Sequence, residues 1–294
     1  MEKYKVVILG ENGFIGSNLK EFLSFKREIE LSSTKNINLL GFKELKNFFI
    51  RVQPKIIINS AFIGVNSNKK YSKKYLSENL KIVKNILKAA TYINNLKKII
   101  FLGSSLEYDD SNKPIHENYQ TKPKNAYALV KMKTTLFSLD FSRRKKIPLI
   151  ILRPFNLYGP HDEKSIIYVL IASLLRNGKI KLSKGEQIRD YLYINDFSKI
   201  IYKIIRNIDK FENFQVYNVA SSIPIKLSKI FKEIFKSLNK DYKYTIIPYR
   251  QKEYMSHVGD ISKIRKIITV DKLTPLNKGI KETISWVKSQ SHLK

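Results

Sequence analysis

Val6-Val7-Ile8-Leu9-Gly10-Glu11-Asn12-Gly13-Phe14-Ile15-Gly16 carries the chain from a short apolar run through three evenly spaced glycines and on into Ser17–Leu23. Four apolar residues ending in glycine are the pattern of a parallel strand buried on both faces. The glycines then permit a tight turn, and residues 17–23 continue as an amphipathic helix. Further apolar runs at Glu28–Leu31, at Ile56–Ser60 after Pro54, at Lys98–Leu102 and at Pro148–Leu152 read as strands. Helical spacing covers 74–94, with Leu76, Leu80, Val83, Ile86, Leu87 and Ala90 on one face, and also 125–144. Strands alternating with helices predict an α/β fold on a doubly wound parallel sheet. After Arg153-Pro154 the alternation becomes irregular, with helices over 166–176 and 196–207, strands at 180–182 and 216–219, and helices near 227–238 and 276–289. This predicts a main sheet domain over 1–160 plus about 188–220, and a smaller C-terminal lobe over 161–187 and 221–294.

Composition narrows the chemistry. The 294 residues contain no cysteine, which excludes disulfides, thiolate metal sites and a cysteine nucleophile, and fits a reducing cytoplasm. The four histidines (116, 161, 257 and 292) lack metal-ligand spacing. No apolar run reaches the roughly 18 residues of a membrane span. The apolar stretch at Val6–Leu9 is too short for a secretion signal. A net charge of +30 raises the possibility of a polyanion partner. The lysines are spread along the whole chain and arginine is scarce, so no specific nucleic-acid partner and no membrane partner is expected. The field would favour an anionic small substrate.

At a strand-to-helix junction, glycines let helix N-terminal amides face a pyrophosphate. Gly10, Asn12, Gly13, Phe14, Ile15 and Gly16 are therefore candidate dinucleotide contacts, with Ser32, Ser60 and Ala61 at neighbouring strand ends. An acidic residue closing the second strand would hold a ribose 2′-hydroxyl and favour NAD. The residues there are Leu31-Ser32-Ser33-Thr34-Lys35, without a carboxylate, which points to NADP over NAD.

Only one of the 17 tyrosines has a lysine four residues on: Tyr127, followed by Lys131. Four apart in a helix, both project from one face. A phenol of ordinary pKa ~10 becomes a useful acid–base group near neutrality only if the phenolate gains about 4 kcal/mol. A neighbouring ammonium and an oxidised nicotinamide ring push in that direction. Ser104 and Ser105 follow the fourth strand, at the carboxyl edge where ligands bind, and a hydroxyl there can share a proton with Tyr127.

These motifs resemble the extended short-chain dehydrogenases/reductases, specifically the NAD-dependent epimerase/dehydratase family with its NAD(P)-binding Rossmann domain. The resemblance continues through Arg153-Pro154-Phe155-Asn156-Leu157-Tyr158-Gly159-Pro160, Arg189-Asp190, Tyr217–Ala220, Asp260–Lys263 and Gly279–Trp286, and so covers nearly the whole chain. It implies a nucleotide-diphosphate sugar as substrate, Ser104, Tyr127 and Lys131 as catalytic residues, with Tyr127 and Lys131 also against the cofactor and Lys131 on its ribose. It further implies Arg189 and Arg250 on the diphosphate, Asn156 and Asn79 orienting substrate or backbone, and Ser105 beside the substrate. Helices 74–94 and 125–144 resemble those that pair in family homodimers.

Departures from the family pattern divide the possible reactions. Sugar-nucleotide dehydratases carry an acid–base pair directly after the catalytic hydroxyl, where Ser105 and Leu106 stand here. The N-terminal half resembles GDP-fucose synthases, yet Leu106 replaces their cysteine and Ser165–Tyr168 lacks their histidine. Three readings remain open. One is reduction of a nucleotide-linked 4-keto-6-deoxyhexose, the second is C4 epimerisation with retained NAD, and the third is a non-catalytic RNA-binding member of the fold.

Overall fold

A computed structural model describes residues 3–64, 71–239 and 244–290. The main sheet contains β1 (Tyr4–Leu9), β2 (Ile29–Ser32), β3 (Ile56–Asn59), β4 (Lys98–Leu102) and β5 (Leu149–Pro154). Five helices flank or follow these strands: α1 (Phe14–Ser24), α2 (Phe42–Val52), α3 (Lys73–Ala90), α4 (Ala126–Lys145) and α5 (Ile166–Leu175). The later elements are β6 (Asn156–Tyr158), β7 (Lys181–Leu182), β8 (Ile188–Tyr193), α6 (Ile194–Arg206), β9 (Gln215–Val219), β10 (Pro224–Lys226) and α7 (Leu227–Ser237). The last are β11 (Thr245–Ile246), β12 (Ser256–His257), α8 (Ser262–Arg265) and α9 (Leu276–Ser289).

Six parallel strands form the central sheet in the order β2-β1-β3-β4-β5-β9. Alternate residues feed opposite faces. Val6, Ile8, Ile56, Ile58, Ile100 and Ile150 join one apolar cluster with Leu19 and Leu23 of α1 and Phe197 and Ile201 of α6. Val7, Leu9, Ile57, Ile99, Phe101 and Ile151 join the other, with Leu45, Phe48 and Phe49 of α2, Ile82, Val83 and Ile86 of α3, and Leu139 of α4. Helices on both faces explain why the strands read as unbroken apolar runs. This is the doubly wound Rossmann-like arrangement the sequence predicts.

A smaller sheet pairs β8 with β10 antiparallel and with β12 and β6 in parallel. The Asp190 carboxylate ties this sheet to the carboxyl end of β9. It accepts from Ser221 N and Oγ (2.8 and 2.6 Å), Ser222 N (2.9 Å) and Gly259 N (3.1 Å).

Several elements go beyond the sequence pattern, among them the short β6, β10, β11, β12 and α8, and two longer ones. Helix α2 follows Gly41, with Leu45, Phe48 and Phe49 buried at helical spacing inside a segment left without assignment. Strand β8 lies in the Arg189–Tyr193 motif, where tyrosines and charged side chains mask the alternation. Helix α3 ends at Ala90 rather than at 94, because Thr91, Tyr92 and Ile93 donate to carbonyls three residues back and tighten the final turn. Among the described residues, no helix is long and apolar enough to cross a membrane.

Candidate active site

Strand order reverses between β1 and β3, and the carboxyl ends of such strands frame a ligand crevice. Gly10 opens that crevice with φ +84°, a left-handed conformation that a side chain resists. A Cβ on Gly10 would lie 2.7 Å from Ala61 N, and one on Gly16 would lie 2.1 Å from the Gly10 carbonyl oxygen. Gly13 is the N-cap of α1 and no side chain caps the helix there, while Asn12 and Gly13 are exposed. The backbone amides of Phe14, Ile15 and Gly16 thus form a first turn suited to an anion. Ser60 donates to Leu9 O at 2.8 Å and locks the β1 and β3 ends together. These residues fit the pyrophosphate of a dinucleotide. Gly16→Ala is expected to displace the turn, weakening dinucleotide binding at least about tenfold with about 1–3 kcal/mol lost in stability. Fluorescence titration and thermal melting check both.

The catalytic candidates converge at the carboxyl end of β4. Ser104 Oγ accepts from Leu106 N at 3.2 Å, leaving its proton to be donated elsewhere. It lies close enough to the Tyr127 phenol to favour the phenolate. Asn125 caps α4 by accepting from Ala128 N at 2.9 Å, which sets the first turn that carries Tyr127. Lys131 is buried, donating to Leu102 O at 2.8 Å with its ammonium 4.3 Å from the Phe62 ring centre. Phe62 also meets the Tyr127 ring edge-on at 5.3 Å.

The electrostatics differ from the sequence expectation. Burial holds the Tyr127 phenol above the usual tyrosine range, and the nearby Ser104 hydroxyl offsets this only partly. Burial pulls Lys131 down to about 8, against the opposing pull of the Glu107 charge. Among the protein's own groups, desolvation of Tyr127 outweighs any effect of Lys131, whose ammonium is committed to the Leu102 carbonyl. The site therefore holds a protonated phenol, the form that donates to a ketone.

Glu107, absent from the sequence candidates, organises this corner. It is fully buried. Oε1 accepts from Ser104 N (2.9 Å) and Thr135 Oγ1 (3.0 Å), while Oε2 accepts from Arg153 Nε (3.1 Å) and Nη2 (2.7 Å). One carboxylate thus joins the Ser104 turn, α4 and β5. The signal was local: Ser104 and Glu107 have the spacing of a capping box, and they form one.

On the substrate side, Ser105 is buried and its carbonyl accepts from His257 Nε2 at 2.9 Å. Burial lowers His257 to about 4, so a neutral imidazole braces the loop. Asn156 Nδ2 donates to Asp190 O at 2.9 Å. Asn79 holds the backbone of Ile63 through both amide atoms, at 3.0 and 3.3 Å. Arg189 is buried, with Nη2 on Glu253 Oε1 at 2.7 Å and Nη1 on Ile188 O at 3.1 Å. Arg250 lies exposed in the turn just before Glu253, its carbonyl accepting from Glu253 N at 3.2 Å. The structure thus brings Ser104 near Tyr127, with Lys131 one turn further along α4, and ties Arg189 to Glu253. Among the described residues no acidic or histidine cluster is arranged to hold a metal ion; His292 lies outside them.

Residues 6–220 match the model of the NAD dependent epimerase/dehydratase family. The probable GDP-L-fucose synthase 1 of Oryza sativa subsp. japonica is 24% identical over 96% of this chain and 91% of that protein. Among solved structures, RMD from Pseudomonas aeruginosa complexed with NADPH superimposes with TM-score 0.86, at 17% identity over 98% of this chain and 100% of that one. The UDP-glucuronic acid 4-epimerase of Bacillus cereus, in complex with UDP-glucuronic acid and NAD, gives TM-score 0.81 at 19% identity over 97% and 99%.

Proposed function

The chain belongs to the NAD dependent epimerase/dehydratase family, and we propose that it moves hydride between a nicotinamide dinucleotide and a ring carbon of a nucleotide-diphosphate sugar, reducing a nucleotide-linked 4-keto-6-deoxyhexose. The bound nicotinamide would supply the hydride. The observation that carries the reading is the Ser104–Tyr127 pair, with Ser104 Oγ oriented by Leu106 N–H and the phenol kept protonated by burial. In that state Ser104 can hydrogen-bond the ketone oxygen while Tyr127 delivers the proton. Gly10, Asn12, Gly13, Phe14, Ile15 and Gly16 would cradle the pyrophosphate, with Ala61 and Ser60 at the crevice floor. Lys131 would hold the nicotinamide ribose. Arg189 would meet the sugar-nucleotide diphosphate, sharing its guanidinium between phosphate oxygens and Glu253.

Ser105 and Leu106 place no acid or base beside Ser104, which disfavours elimination of water. Epimerisation at C4 with retained NAD is a second reading, supported by the Glu11 carboxylate held at the end of β2 by Ser33 Oγ and Thr34 N. A non-catalytic RNA-binding role lacks comparable support, since Ser104, Tyr127 and Lys131 lie together at the carboxyl end of β4. A homodimer through α3 and α4 is part of the proposal: α4 exposes Leu136, next to the Phe137–Phe141 ring pair.

Incubating the protein with nucleotide-linked 4-keto-6-deoxyhexoses and reduced dinucleotide tests the reading. Stoichiometric loss of dihydronicotinamide absorbance is the expected result. Interconversion of C4 epimers without net dinucleotide consumption would establish the second reading. Neither activity, across a panel of nucleotide bases, would overturn both.

A further inference from the structure

Strand β2 ends in Ser32 without a carboxylate, yet the structure supplies one there from the glycine turn. The Glu11 side chain crosses to the β2 end, where it is buried. Oε1 accepts from Ser33 Oγ at 2.7 Å and Thr34 N at 3.2 Å, and Oε2 lies 3.2 Å from Lys20 Nζ on α1. Thr34 Oγ1 in turn donates to Ile8 O at 2.7 Å, pinning the loop to β1. Three partners from two segments, the loop after β2 and α1, hold the carboxylate in place at the edge where a dinucleotide on the glycine cradle puts its adenosine ribose. Resting on the cofactor cradle of the function proposed above, we propose that Glu11 selects the dinucleotide, accepting a ribose 2′-hydroxyl and rejecting a 2′-phosphate, so that the protein uses NAD.

The hydrogen-bond polarity supports this. Ser33 is exposed, but its proton is committed to Glu11, so its oxygen acts only as an acceptor, here for Lys35 N at 3.4 Å. A ribose hydroxyl can donate into such a surface, whereas a phosphate, an acceptor on every oxygen, needs donors. The arginine fork that commonly clamps a 2′-phosphate is missing, since Ser32 and Asn12 carry no charge. Lys20 is the cation the structure places on this carboxylate, and Glu11 already engages it. A 2′-phosphate would have to compete with a fixed carboxylate for that one ammonium.

Titration of NADH and NADPH by nicotinamide fluorescence, without substrate, reads the selection directly. The protein is expected to bind NADH at least about tenfold more tightly than NADPH, the scale on which unlike-ligand charge repulsion discriminates. Glu11→Gln keeps the side-chain shape and removes the charge. It is expected to tighten NADPH about tenfold while NADH shifts less than about threefold. Glu11→Asp, which keeps the charge, is expected to keep the preference. A native preference for NADPH, or an equal loss of both dinucleotides in Glu11→Gln, would overturn the inference and leave Glu11 a structural tie. Binding of neither dinucleotide by the native protein would overturn the cofactor cradle, and this inference with it.

Discussion

Tyr127→Phe is expected to lower turnover by about 10²–10⁴, the usual worth of a positioned acid or base. Dinucleotide affinity is expected to stay within about twofold, because the cradle lies on the β1–α1 turn and uses no atom of the phenol. The ring itself should remain where it is. Its edge-on contact with Phe62 at 5.3 Å needs no hydroxyl, and α4 stays capped by Asn125. What is lost is the phenolic proton beside Ser104. Burial keeps the native phenol protonated above the usual tyrosine range, so the acid is in the correct form throughout neutrality. Rising pH removes charge first from Lys131, which titrates at about 8. The native reductive rate is therefore expected to hold through neutrality and decline only on the alkaline side of that value. Steady-state kinetics across pH, with binding titrations of the variant, check both statements. Unchanged turnover in Tyr127→Phe would remove the proposed mechanism.

The parts legible in the sequence are those whose partners are close in the chain. Gly10, Gly13 and Gly16 declare the cofactor turn because a strand-to-helix junction needs small residues at fixed local offsets. Tyr127 and Lys131 share a helix face by spacing alone. The main-sheet strands are legible because burial on both faces makes them apolar throughout; the flanked helix α2 and the charged strand β8 offer no such contrast. The groups that set the electrostatics stay hidden for a different reason. Glu11 and Glu107 look like ordinary polar residues until the fold brings Ser33 and Lys20 to one, and Arg153 and Thr135 to the other. Arg189 is the converse. Its motif implies a hand on the diphosphate, but Glu253, far along the chain, already holds one arm of the guanidinium. Sequence spacing encodes which groups can meet within an element. It does not encode which charges end up buried together, and those decide whether a phenol or an ammonium keeps its proton.

Glu107→Leu is expected to cost about 3–5 kcal/mol of stability, because removing one member of a buried ion pair leaves the other charge uncompensated. Here the abandoned group is Arg153, buried and held at 2.7 Å through Nη2. Ser104 N–H and the Thr135 hydroxyl would lose their acceptor in the same step, each a further desolvation cost. By contrast, the exposed pair of Arg144 with Asp140 is of the kind worth ~0–1 kcal/mol, so removing Asp140 is a suitable control. In a chain of this size the expected loss corresponds to a fall in melting temperature of roughly 10 °C. Glu107→Leu combined with Arg153→Met should recover much of that stability, since apolar replacement of both partners of a buried pair is often near neutral. The recovered fold should not recover the rate. Without Glu107 the Ser104 amide loses its tie to α4 and β5, so the hydroxyl is less firmly placed beside Tyr127. Thermal melts of both variants, with turnover measured on the folded double variant, separate the two roles. A double variant with native turnover would reduce Glu107 to a stabilising group, and a single variant within about 1 kcal/mol of native would show that Arg153 finds another partner.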